Sequence, residues 1–422
     1  MSFKTTAISY LYKVLTIFLA PLGAAFLAYK KRHDPSYGLK FFNLLGFYKK
    51  QKGSHIWFHG ASVGEINALK PLIAAYIQKH PQESIVVSTM TTTGLKQAQT
   101  IKNVKAVISP LDSPLSLCGF FFAYHPKKLF IIDTELWPNL LDKAKKANCP
   151  VSIVNARLQD KNVQAYLKHA ALVKNLISDK LTYVLCSSLK DASRFEKIGV
   201  LKDKIKITGN IKYDLKPKDD LFNQSRLEKA KVLGTHVFGA ISIHDNEEKA
   251  VIDAYLKAKQ KVKDLKLIFV SRHQSTTDLA IKYLNEKGIA FQLRSDCKNF
   301  SKFKSDILIG NTLGEIEFYL GLCDLVFMGG SFVSIGGHNP LEPAYFSLPI
   351  LTGKYYHNFQ EQFDKLIDLG GAYLAEDEAV LCQYICKLIV DNNALKKAGI
   401  IALDVQQQGR GAIELSLKYM DL

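Results

Sequence analysis

From Ala7 to Tyr29 the chain is almost wholly apolar, with one charge (Lys13) and one proline (Pro21), and Lys30-Lys31-Arg32 follows at once. About 20 such residues suffice to span a bilayer. The stretch therefore predicts a membrane anchor, either a span or an interfacial helix, since Lys13 and Pro21 weaken a simple span. The basic flank belongs on the cytoplasmic side. A cleaved signal peptide is disfavoured, because the charges follow the apolar segment. Downstream, short apolar runs alternate with helix-like patterns. Strands are predicted at His55 to Phe58, Ser84 to Ser88, Val104 to Ile108, Leu129 to Ile132, Val151 to Asn155 and Tyr183 to Cys186, with helices such as Val63 to Gln78 between them. Such alternation means a parallel sheet with helices on both faces.

A polar, proline-containing stretch near Lys216-Pro217-Lys218-Asp219-Asp220 breaks the pattern and reads as a linker. The alternation restarts at Val237 to Ile241 and runs through Leu267 to Val270, Asp306 to Ile309, Leu325 to Met328 and Ile350 to Leu351. The expected organisation is an anchor (1–33), an α/β domain (34–215), a linker (216–234), a second α/β domain (235–395) and a C-terminal helix (396–422) suited to packing back on the first domain.

Fifty-six Lys and Arg against 39 Asp and Glu give a net charge of +17. Such a balance favours an anionic partner: nucleic acid, an acidic membrane surface or a phosphorylated substrate. The basic residues are spread out and no nucleic-acid motif is present, so no nucleic-acid partner is expected. The seven cysteines are scattered without a C-x-x-C pair. They form neither a disulfide framework nor a zinc site, and a reducing compartment fits them.

Two motifs carry the candidate chemistry. His59-Gly60-Ala61-Ser62-Val63-Gly64-Glu65 joins a strand to a helix. Its glycines permit close approach of a substrate, the helix N-terminus offers N–H groups, and Glu65 stands ready to take a proton. The alternative is a tight βα turn whose Glu complements the helix dipole. The second motif, Gly329 to Ala344, packs four glycines, two prolines, His338, Asn339 and Glu342 into one loop after a strand. Loops at strand ends in α/β sheets are where ligands bind. Gly330, Ser331 and their neighbours have the composition of a phosphate cradle. Neither a P-loop nor a dinucleotide glycine fingerprint occurs in a proper context, which disfavours ATPases and dehydrogenases.

Taken in order, the 59–65 motif, Glu135-Leu136-Trp137-Pro138-Asn139, Gly209-Asn210-Ile211-Lys212-Tyr213-Asp214 and the 329–344 loop resemble the 3-deoxy-D-manno-octulosonic acid (Kdo) transferases of lipopolysaccharide assembly. The resemblance spans about residues 8 to 375. It implies a membrane-anchored glycosyltransferase of the GT-B class, with two Rossmann-like doubly wound domains facing a cleft. It implies CMP-Kdo as donor, the tetra-acylated disaccharide bisphosphate precursor of lipid A as acceptor, and an inner membrane with anionic lipids, the catalytic domains being cytoplasmic. Glu65 would be the general base, with Glu135 and Lys212 in support. The nucleotide would lie among Arg272, His273, Leu313, Gly314, Glu315, Gly330, Ser331, Asn339, Pro340, Leu341 and Glu342. No cofactor or metal is implied. The chain departs from the family pattern at Ile243 and Asn246, and at Ser271 and Gln274.

The residue chemistry is consistent with this. A sugar hydroxyl needs a carboxylate to remove its proton, and a departing nucleoside monophosphate needs donors, expected from Ser331, the glycine amides and Arg272. Two rivals stand beside the transferase: a nucleotide-sugar epimerase, which would not need the Ala7 to Tyr29 segment, and a membrane-tethered lipid-binding module, which would need neither Glu65 nor Glu342.

Overall fold

The computed structural model describes residues 3–30, 32, 40–214, 216–217, 219–232, 236–297 and 303–422. The expectations placed on anchor positions 1–2, 31 and 33, on positions 34–39 and 215 of the first domain, on linker positions 218, 233 and 234, and on positions 235 and 298–302 of the second domain lie outside the described residues. The chain divides into two compact units, Met1–Leu215 with Gly409–Leu422, and Lys216–Gln408.

The first unit holds β1 (His55–His59), β2 (Ser84–Thr89), β3 (Val104–Ile108), β4 (Pro126–Ile132), β5 (Val151–Ala156), β6 (Tyr183–Cys186) and β7 (Ile205–Ile207). They form one parallel sheet in the order β3-β2-β1-β4-β5-β6-β7. Every residue of β1 is buried, because helices cover both faces. This is why its sequence is a continuous apolar run rather than an alternation. Trp57 goes to one core, with Phe120, Leu129 and Ile131. Phe58 goes to the other, with Ile66, Leu69 and Phe130. Since β1 pairs with β2 on one side and β4 on the other, the crevice between the C-terminal ends of β1 and β4 is a topological switch point.

The second unit repeats the plan. Its strands are β8 (Val237–Ile243), β9 (Lys266–Ser271), β10 (Gln292–Leu293), β11 (Ile307–Gly310), β12 (Leu325–Met328), β13 (Ile350–Thr352) and β14 (Ala372–Leu374). Their order is β10-β11-β9-β8-β12-β13-β14, again parallel. Here the switch point lies between β8 and β12. The core between sheet and helices is built on Phe238, Tyr255, Leu267, Phe269 and Phe327.

Two expectations are corrected. The polar stretch read as a linker folds, over Asp219–Val232, as a helix of the second unit. One aromatic stack, one small-residue contact and one ion pair hold it: Phe222 stacks on Phe346 with ring centroids 3.9 Å apart, Ser225 sits over Gly321, and Lys229 pairs with Asp324. With so few large apolar positions, its periodicity was quiet. The C-terminal boundary also moves. Asn392–Gln408 stays in the second unit, and only the last helix, Ala412–Met420, belongs to the first. There Asp214 accepts from the N–H groups of Gly411 (2.7 Å) and Ile413 (2.6 Å). Gly409 lies so close to Tyr213 that a Cβ would meet its ring at 2.2 Å.

Candidate active site

In the first unit, the turn after β1 and the segment after β4 meet at the switch point. Ser62 caps the helix Val63–Lys79 by accepting from the Glu65 N–H (3.3 Å). The Glu65 carboxylate reaches back in turn, accepting from the Ala61 N–H (2.6 Å) and the Ser62 hydroxyl (3.1 Å). This is a variant of the capping box, with the carboxylate reaching the N–H one residue before the cap, so part of the bland reading of Glu65 holds: it does close its own helix start. It is not only that. Burial raises its pKa, and Asp133 and Glu135 raise it further, outweighing the Ala61 and Ser62 hydrogen bonds. A capping glutamate on an open surface would be held low by the helix dipole. This one is made more basic, first by burial and then by its acidic neighbours.

Asp133 follows β4 in a left-handed conformation, φ 60°. Its Oδ1 accepts from the Asn155 side-chain amide (2.9 Å), and the Asn155 Oδ1 accepts from the Ile211 N–H (3.1 Å). Asn155 itself is buried at φ 53°. This bridge fixes the turn Ile211–Asp214, which carries Lys212. Burial and Arg157 lower the Lys212 pKa, against the opposing pull of Asp133 and Glu65. Glu65, Asp133, Glu135 and Lys212 thus form one electrostatic cluster. Glu135 accepts from the Trp137 indole N–H (2.7 Å), which gives the half-exposed Trp137 an orienting role beside the cluster. His59 is buried under the turn, with Nδ1 2.8 Å from the Ser88 hydroxyl. Burial pushes its pKa down to about 4, so it is a neutral packing histidine.

In the second unit, loops from β8, β9, β11 and β12 gather at the C-terminal edge of the sheet. Glu342 opens the short helix Leu341–Tyr345. Burial, and next Glu317, push its pKa up to about 7, opposed by a hydrogen bond with Asn339 and by Arg272. Arg272 and His273 follow β9 directly and are exposed. His244 and His338 face each other with Nε2 atoms 2.8 Å apart. A pair this close requires one ring to donate and the other, neutral at that nitrogen, to accept. Burial lowers the pKa of both, that of His338 to about 4. Leu313 is 98% exposed, and Gly314 beside it has φ 79°.

Three expected donor-site roles meet a different arrangement. The amides of Gly330, Ser331 and Phe332 do form a nest, but the carboxylate of Glu247 fills it, at 2.6, 2.9 and 2.7 Å. Glu247 also accepts from the His244 N–H (3.0 Å). The Ser331 hydroxyl donates to the Met328 carbonyl (2.6 Å) and accepts from the Gly353 N–H (2.8 Å). Gly330 and Ser331 therefore shape the loop, and their groups are not open to a phosphate. Glu315 is likewise engaged, by Arg294 and Thr312. The sequence reading missed Glu247, Asp133 and Asn155. Glu247 lies beside Asn246, already noted as a departure, while Asp133 follows β4 and Asn155 is next to last in β5, and an Asp or Asn near a strand end, able to take the left-handed conformation, is a usable signal.

Residues 40–215 match the family model described as 3-deoxy-D-manno-octulosonic-acid transferase (kdotransferase). The chain is 29% identical over 420 residues to a 3-deoxy-D-manno-octulosonic acid transferase of Haemophilus influenzae, covering 97% of each. It is 27% identical to one from Chlamydophila psittaci, covering 87% of this chain and 86% of the other. Among solved structures, it shares its fold with a UDP-GlcNAc 2-epimerase from Neisseria meningitidis (TM-score 0.57, 12% identity, 86% of this chain and all of the other). It also shares it with a glycosyltransferase from Rickettsia africae (TM-score 0.56, 13% identity, 88% and 98%). The two parallel α/β units are those of a GT-B protein. With Kdo transferases matching it from end to end and the Kdo transferase model matching most of its first unit, the chain is similar to the Kdo transferases along its whole length, and these matches support a glycosyltransferase enzyme.

Proposed function

We propose that this protein moves Kdo from CMP-Kdo to the tetra-acylated disaccharide bisphosphate precursor of lipid A, with inversion and release of CMP. The observation that carries the reading is Glu65: a carboxylate at a switch point, made more basic by burial and by Asp133 and Glu135. A base of this kind suits a sugar hydroxyl. Glu65 takes the hydroxyl proton as the oxygen bonds to the anomeric carbon of Kdo, and the bond from that carbon to the CMP phosphate oxygen breaks. One attack from the face opposite CMP inverts the centre, so one base is sufficient. Lys212, kept near the carboxylates, is the candidate partner for the Kdo carboxylate or an acceptor phosphate.

In the second unit, Glu342 is the candidate acceptor for the ribose hydroxyls. With the Gly330 to Phe332 amides held by Glu247, the developing charge on CMP falls to Arg272 and His273. The acceptor is a lipid, and the helix Phe3–Lys30 is long and apolar enough to cross a membrane. This supports work at a membrane, which we take to be the cytoplasmic face of the inner membrane. The test is CMP release by the purified protein. It should require both CMP-Kdo and the lipid acceptor. Equal turnover of a UDP-sugar without acceptor would favour the epimerase reading instead.

A further inference from the structure

We infer that the N-terminal helix lies flat in the membrane surface as one part of a composite lipid-facing surface of the first unit, completed by Leu115, Cys118 and Phe122 and by Phe42 and Phe47. Its occupant is an anionic bilayer leaflet. This rests on the membrane reading above and is independent of the transfer chemistry.

The helix Phe3–Lys30 is bound to the unit along its length. Tyr12 donates to Asp112 (2.8 Å), Lys13 pairs with Asp142 (2.7 Å), and the Asn139 amide donates to the Thr16 hydroxyl (2.9 Å). Further along, Ala24 is buried in a cluster with Leu44, Leu95 and Ile108, against which Leu27 packs. From Tyr12 to Leu27 the docked length is roughly 22 Å at 1.5 Å per residue. A helix held to a polar, folded unit over that distance does not cross a bilayer without drawing the unit in with it. Leaving the unit would strip Asp112 of a partner, and Asp112 also accepts from the N–H groups of Asn139 and Leu140. Pro21 agrees with this placement. It has no N–H for the carbonyl one turn back, a group that water satisfies at an interface and hydrocarbon does not.

The opposite side of the helix is apolar and exposed, in the row Ile8, Leu11, Leu15, Phe18, Leu22 and Phe26. The helix packs against the helices Lys40–Leu44 and Pro114–Tyr124, and the apolar surface continues onto them. Leu115, Cys118 and Phe122, at helical spacing, are all exposed, Leu115 at 64% and Phe122 at 63%. Phe42 and Phe47 are exposed nearby, their rings 6.2 Å apart. An uncovered apolar surface of this extent marks an interaction site. Its edge selects the partner. Lys30, Arg32, Lys49, Lys50 and Lys52 are exposed, and Lys50 lies over the Phe122 ring at 4.9 Å. A shallow depression of about 490 Å³, lined by Lys50, Gln51, Lys52, Gly53 and His125, borders the same ring. Apolar side chains below and cations at the edge match acyl chains below anionic headgroups. A second copy of the chain would set one cationic edge against another.

The experiment measures depth. Spin labels are placed through Ile8→Cys, Phe18→Cys, Phe26→Cys and Phe122→Cys in the full chain carrying Cys118→Ser, Cys382→Ser and Cys386→Ser. Vesicles are phosphatidylcholine with phosphatidylglycerol, without donor or acceptor. All four labels should sit at one shallow depth, on the order of 5–10 Å into the leaflet. Leu115→Gln with Phe122→Gln should weaken vesicle binding by about tenfold or more. Lys50→Gln with Lys52→Gln should weaken it only when phosphatidylglycerol is present. A label at Phe18 near the bilayer centre, with Ile8 and Phe26 shallow on either side, would show a span and overturn the inference. So would a Phe122 label left in water. A protein that ignores vesicles altogether would overturn the membrane reading itself and leave the transferase reading standing.

Discussion

Replacing Glu342 by Gln should separate binding from stability in opposite directions. The folded protein holds this carboxyl at a pKa of about 7 against an ordinary 4.5, through burial and then Glu317. The folded pKa is raised, so protonation favours the folded state. The stability this gives is full below about 4.5 and is lost as pH rises through about 7. At pH 8 the ionised group costs the second unit up to roughly 3 kcal/mol, at about 1.4 kcal/mol per pKa unit. Gln carries no charge and escapes that cost, so Glu342→Gln should raise the urea midpoint of the second unit at pH 8 and change it little at pH 4.5. Binding should move the other way. If the ionised carboxylate receives the ribose hydroxyls, losing two charged hydrogen bonds weakens CMP binding by roughly ten- to a hundredfold. The wild-type protein should also gain affinity for CMP between pH 6 and 8, by about tenfold, as the ionised fraction rises from about a tenth to about nine tenths. Glu342→Gln should show only the titration of CMP itself. Calorimetry across this pH range decides it. An unchanged CMP affinity in the variant, or parallel pH profiles, would refute the placement of the ribose.

Three further substitutions probe other parts of the account. Glu65→Gln should lower turnover on the order of 10²- to 10⁴-fold while CMP binding by calorimetry is retained; near-normal turnover would remove Glu65 as the base. Glu247→Ala leaves the N–H groups of His244, Gly330, Ser331 and Phe332 without their acceptor and should cost at least about 3 kcal/mol, read as an earlier urea transition of the second unit. Asp214→Ala should loosen the last helix by removing the acceptor for Gly411 and Ile413, seen as faster proteolysis around residues 409–411; unchanged cleavage would show that Ala412 and Met420 alone hold it.

The sheet strands were legible because strands buried on both faces are dense apolar runs, as in Ile56-Trp57-Phe58 and Leu325 to Met328. The short strands Ile205–Ile207 and Ala372–Leu374 lie at sheet edges and offered too few apolar positions to stand out. The helix Asp219–Val232 was hidden by its composition, for its ties are Lys229 to Asp324 and Ser225 against Gly321. The approach of Glu65, Glu135 and Lys212 follows from strand order, which a single sequence does not state. Asn155 was legible only as the end of a strand, although its side chain joins Asp133 to the Lys212 turn. The glycine loop looked like a phosphate cradle because its amides are arranged as one. Only the fold shows that Glu247, at the start of the helix Glu248–Lys261, already occupies them.

The most direct measurement is mass spectrometry of the lipid formed when the purified full-length protein is given CMP-Kdo and the tetra-acylated disaccharide bisphosphate. The account predicts a product heavier by one or more whole Kdo residues, absent when Glu65→Gln replaces the wild-type protein over the same interval. A lipid of unchanged mass, with CMP-Kdo consumed or not, would contradict it.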